Sequence, residues 1–122
     1  MIRIPIHEYL VAAKDTYIPV PCRGIVVGLY GAFSETVAFD DTVSVLRGAS
    51  SVNLITVGAA NVAEGVLLTG TRDTTNKELI FDPDSATATH KVFKIAISAV
   101  LTNPTTFNGY IDFDEFALVD QT

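Results

Sequence analysis

The stretch "NGYIDFDEFALVD", residues Asn108 to Asp120, sets Asp112, Asp114 and Glu115 among aromatic and aliphatic residues. Carboxylates in this pattern suit three arrangements: a catalytic pair, a cation site, or the wet side of a strand whose dry side is core. In a strand, Asp112 and Asp114 share a face about 6.6 Å apart while Ile111 and Phe113 point the other way. Apolar parity is odd through Phe113 and even at Phe116 and Leu118, so the phase changes around Asp114 and Glu115. A β-bulge there would turn the acids outward and keep both apolar sets inside, which predicts solvated carboxylates and no catalysis.

The remaining chemistry-bearing residues agree. The Glu-x-Asp-x-Glu string that one glycosidase group carries on a strand fails at two of three positions, with Asp112 first and Phe116 third. Sugar sites stack substrate on large aromatic faces, and the chain has no Trp. Asp40, Asp41, Asp82 and Asp84 place carboxylates at loop ends where a hard cation such as calcium would want them, but without a calcium-loop consensus. His7 and His90 stand in no zinc or triad spacing. Cys22 follows Pro21 and reads as a small buried hydrophobe, since no helix terminus is evident to hold a thiolate. The glycines of "GLYG" and "GVLLTGT" lack phosphate-loop spacing. No catalytic residue, cofactor or metal is assigned.

The elements that carry these residues read as strands. "GIVVGLYGAF" sets Ile25, Val27, Leu29 and Phe33 against Gly24, Gly28 and Tyr30, and "TVSVLR" sets Val43 and Val45 against Thr42 and Ser44. "SVNLITV" and "GVLLTGT" are apolar on both parities, which predicts more complete burial. "HKVFKIAISAVL" places Phe93, Ile95, Ile97, Ala99 and Leu101 on one parity; its β-branched content favours strand over helix. Turn-formers separate the runs: "FDD" at Phe39 to Asp41, "RGASS" at Arg47 to Ser51, "RDTTNKE" at Arg72 to Glu78, "DPDS" at Asp82 to Ser85 and "TNPTTFNG" at Thr102 to Gly109. The first 21 residues differ. Ile2, Ile4 and Ile6 alternate like a strand, Pro5 is also compatible with a short helix through Lys14, and "YIPVPCRG" has two prolines that exclude a central strand. The expected organisation is an N-terminal arm or edge segment at 1–21, then a β-sandwich domain at 22–122 of about eight strands.

At 122 residues the chain suffices for one core, and 48% hydrophobic against 18% charged residues argues against disorder and for apolar surface covered by a partner. A net charge of −6 with scattered Lys and Arg excludes a basic stripe for nucleic acid or anionic lipid. The single cysteine excludes an intrachain disulfide. No apolar run reaches the ~20 residues of a membrane span, and Pro5, His7 and Glu8 interrupt any signal-like stretch.

The layout resembles the β-sandwich decoration (cement) and head-associated proteins of tailed bacteriophages. "VPCRGIVVGLYGAF", an acidic turn, "DDTVSVLRG", a buried strand, the Gly-containing edge "AEGVLLTGT" and a long closing pair carry the likeness over residues 16 to 119. It implies an all-β fold, a single antiparallel, jelly-roll-like sandwich with an N-terminal arm. It also implies a noncatalytic virion protein, made in the host cytoplasm, that staples neighbouring major capsid protein subunits from outside. "GYIDFDEFALVD" separately resembles the last strand of jelly-roll carbohydrate-binding modules, where Tyr17, Tyr30 and Tyr110 would form a platform. A tail or fibre component is a third possibility. Under the decoration reading, Ile2, Ile4, Ile6, Tyr9 and Leu10 of the arm are the expected partner contacts, and a homo-oligomer, expected to be a trimer, covers the apolar excess.

Overall fold

The computed structural model describes residues 1–35, 42–56, 63, 65–76, 78–98 and 105–115. Two antiparallel sheets pack face to face. One has the order β1 (Ile2–Leu10), β9 (Thr105–Glu115), β3 (Gly24–Phe33), β6 (Leu68–Thr69). The other has the order β2 (Lys14–Pro19), β8 (Val92–Ile97), β4 (Thr42–Arg47), β5 (Ser50–Thr56), β7 (Thr71–Arg72). A 3-10 turn at Ala88–His90 precedes β8. The chain is therefore a β-sandwich, as the alternation of its apolar residues requires.

Alternation builds the core directly on most strands. Val43 and Val45 of β4, Phe93, Ile95 and Ile97 of β8, and Phe107, Ile111 and Phe113 of β9 all point inward and are buried. Phe93 and Phe113 come from opposite sheets and meet edge to face at 5.3 Å between centroids, with Phe81 4.8 Å from Phe93. Three rings thus join the two sheets.

Residues 1–21 supply edges and no free arm or helix. β1 pairs with β9 along its whole length, from Ile2 opposite Phe113 to Leu10 opposite Thr105, and β2 pairs with β8. Prolines do not prevent this, because an edge strand tolerates a proline whose nitrogen faces away from the ladder. Pro5 and Pro19 both stand on such edge strands. Burial follows: Ile4, Ile6 and Leu10 lie in the chain's own core, Ile2 packs against it, and Tyr9 is exposed. Segment 1–21 is thus continuous with the core of 22–115.

Other differences have equally local causes. The register of β3 against β9 shifts between Val26 and Gly28, so the bulge lies on β3 and leaves β9 in regular register with β1 through Phe113. That extra residue changes the phase within β3. Val26 is buried with Leu29 and Phe33, while Ile25 and Val27 are only half-buried. A second register shift, between Val45 and Leu46, puts both Val52 and Asn53 inside and Leu54 outside, so β5 is not buried on both faces. Val66 and Leu67, expected inside, are exposed ahead of the two-residue edge strands β6 and β7. Residues 105–109, assigned to a turn by their Thr, Asn and Gly content, belong to β9, where Thr105 and Phe107 are buried. The "FDD" turn at 39–41, and Ala99, Leu101, Phe116 and Leu118, lie outside the described residues.

Candidate binding face

The acidic stretch sits on the outer face of the four-stranded sheet. Ile111 and Phe113 are buried, Asp112 is half-buried and Asp114 is exposed, so ordinary strand alternation turns these acids outward. Their neighbours across the sheet decide their chemistry. Arg3 stands opposite Asp112, and its Nε donates to Asp112 Oδ1 at 3.1 Å. That hydrogen bond raises the Arg3 guanidinium above its ordinary value, a fixed cation bound to a fixed anion. The Met1 amine donates to Glu115 Oε1 at 2.8 Å and holds this carboxyl below the ordinary carboxylate range. With a guanidinium already on Asp112 and an amine on Glu115, the arrangement is an ion-paired strand face.

The same face carries an aromatic ladder. Tyr110 pairs with Tyr30 across β9 and β3, their rings 5.0 Å apart at 34°, and the Arg3 guanidinium lies 3.9 Å from the Tyr110 ring centroid. Arg3 is therefore shared between a carboxylate and an aromatic face, which fixes a long side chain that would otherwise be mobile. Gly28 allows the arrangement: a Cβ there would stand 2.7 Å from Tyr30 Cε2, so the ring occupies the space a side chain would take. In the next rung His7 Nδ1 and Asn108 Oδ1 are hydrogen-bonded, with His7 opposite Asn108. On the inner face, Gly31 opposite Gly109 leaves room for the Phe107 ring, whose atoms would overlap a Cβ at Gly31.

Sequence reasoning found the acids and the tyrosines but missed Arg3 as their partner. The signal was present: in a strand whose Ile4 and Ile6 face inward, Arg3, Pro5, His7 and Tyr9 must form the wet side. Tyr17 does not join Tyr30 and Tyr110. It lies on β2, in the other sheet, beside a groove of about 350 Å³ lined by Gly48, Ala49, Thr89, Val92 and Lys94. Asp82 and Asp84 do not meet the acids of β9 either; Asp82 Oδ1 accepts from the Asp84 amide at 2.9 Å and closes a turn. Among the described residues no three His, Cys, Asp or Glu side chains gather as a metal site would require. Asp40 and Asp41 lie outside those residues.

No protein-family model, curated protein or solved structure matches this chain.

Proposed function

We propose that this chain is a noncatalytic virion structural protein that binds the outside of a phage head and staples neighbouring major capsid subunits. The observation that carries this reading is the cluster of Arg3, Tyr30 and Tyr110 on the outer face of the four-stranded sheet. Tyr and Arg dominate the energetics of protein interfaces because they offer large contact area and directional hydrogen bonds. Here both are held in place before any partner arrives, which lowers the ordering cost of association. The strand order also supports it. β1-β9-β3-β6 over β2-β8-β4-β5, with β7 added at one edge, is an order compatible with the jelly-roll-like sandwich that this reading implies.

The contact surface differs from the one the sequence suggested. Ile4, Ile6 and Leu10 are committed to the core, so the outer face of β1, β9 and β3 takes their place. A ligand that binds only the assembled head stabilises it by mass action. Heads carrying the protein should withstand heating several degrees higher than heads without it, and Tyr110→Ala should remove the difference. Equal heat resistance with and without the protein would contradict the proposal.

A carbohydrate-binding module is the second reading, favoured by the Tyr30 ring lying over Gly28 with its neighbour Tyr110 alongside. Titration with neutral oligosaccharides, read by tyrosine fluorescence, separates the two.

A further inference from the structure

We propose that the outer edge of β2 is a self-association site, where a second copy of this chain adds its own β2 antiparallel and continues the five-stranded sheet across a two-fold axis. β2 ends that sheet, and among the described residues no strand covers its outer side. The direction of its backbone groups is fixed by one hydrogen bond: the Val20 amide donates to the Lys91 carbonyl at 2.9 Å. Alternation along an antiparallel pair then points the even residues of β2 at β8 and leaves the N–H and C=O groups of Asp15 and Tyr17 facing outward. Pro19 shares that parity and offers no donor, which closes the lower end of the edge.

What remains open coincides with exposed apolar surface. Tyr17 is 59% exposed, and Tyr9 and Val11, on β1 and the turn that joins it to β2, are 61% and 70% exposed. The Lys14 to Glu8 ion pair, 2.9 Å across the two strands, holds the ends of both sheets together at this flank.

The occupant follows from the backbone and the charges. An unpaired strand edge is complemented by another strand, and an antiparallel copy of the same strand satisfies a two-fold axis. Three registers pair the outward-facing Asp15 and Tyr17 with themselves or with each other. Asp15 opposite Asp15 sets like charges together, and Tyr17 opposite Tyr17 brings Asp15 against the donorless Pro19. Asp15 opposite Tyr17, with Thr16 on the axis, avoids both. This register uses every free donor of the open edge. It leads to a pair, in place of the trimer expected from the resemblance, and it leaves the Arg3, Tyr30 and Tyr110 face uncovered, so it stands or falls independently of capsid binding.

The test uses proline as a backbone probe. Because the Asp15 and Tyr17 amides face away from β8, Asp15→Pro and Tyr17→Pro delete one outward donor each without removing a backbone hydrogen bond of the fold, as Pro19 already demonstrates at the same parity; the Asp15 to Lys94 ion pair at 3.8 Å is lost equally in Asp15→Ala, so that comparison isolates the donor. Sedimentation equilibrium of the intact protein should show a species of twice the 13.1 kDa chain mass at micromolar concentration. Each proline variant should dimerise at least about tenfold more weakly than the matching Asp15→Ala or Tyr17→Ala, from two hydrogen bonds lost per dimer. A monomer or trimer for the intact chain overturns the proposal, as do proline variants that keep native circular dichroism yet dimerise as well as their alanine counterparts. Should one proline variant unfold, the other and the mass of the intact chain still decide it.

Discussion

Arg3 shows how a single side chain ties an acidic residue to an aromatic one: its guanidinium is shared between Asp112 and the Tyr110 ring. Asp112 and Asp114 have the spacing of paired acids, but Arg3 Nε already donates to Asp112 at 3.1 Å, and the Met1 amine holds the neighbouring Glu115 carboxyl below its ordinary range, whereas an acid catalyst at neutral pH needs a raised carboxyl. Cys22 is perturbed the opposite way. Desolvation against the core, helped by the Glu115 carboxylate, pushes its thiol above the ordinary value of 9.0. Folding thus favours the neutral thiol. As pH rises past the ordinary value, the unfolded chain ionises first and the stability contributed by the neutral form is lost. At pH 8 the native thiol should react with iodoacetamide several-fold more slowly than the thiol of the chain in denaturant, since the thiolate is the nucleophile. Equal rates would show that Cys22 is not desolvated.

At the scale of elements, the glycines of the central strands set how closely β3 and β9 approach. Gly31 faces Gly109, and a Cβ at Gly31 would stand 2.9 Å from the Asn108 carbonyl oxygen as well as against the Phe107 ring. Gly31→Ala should therefore destabilise the fold by about 1–3 kcal/mol, the cost of overpacking a filled core. Thermal unfolding measures it, and an unchanged melting temperature would place Phe107 elsewhere. The alternation of Val43 and Val45, of Phe93, Ile95 and Ile97, and of Ile111 and Phe113 was legible in the sequence because each run pairs in unbroken register, so parity in the chain is parity in space. It misled at Ile25 and Val27, where the shift between Val26 and Gly28 moves the phase, and at Leu54, beyond the shift at Leu46. Bulges depend on what the partner strand does, and a single strand's pattern holds no record of its partner. The same lack hid the Arg3, Tyr110 and Tyr30 cluster, whose members are far apart in the chain and adjacent only through the β1, β9 and β3 order. Pro5 concealed β1, since a proline argues against a central strand and leaves an edge strand and a free arm equally open.

Across the whole molecule, the core, one sheet edge and one sheet face carry distinct groups of residues. The three phenylalanines Phe81, Phe93 and Phe113 lock the sheets together, β1 and β2 end their sheets among the described residues, and the outer face of the four-stranded sheet carries the Arg3, Tyr30 and Tyr110 cluster. The proposed decoration role would use that division, holding the fold, meeting a second copy and gripping a capsid with different surfaces. The most direct test is co-sedimentation with purified phage heads that lack the protein. Intact chain and Tyr17→Pro should both bind saturably, in a fixed ratio to capsid subunits, while Arg3→Ala combined with Tyr110→Ala, with unchanged circular dichroism, should bind at least about tenfold more weakly, as loss of interface hot spots requires. Failure of the intact protein to sediment with the heads, or full binding by the double variant, would contradict the account.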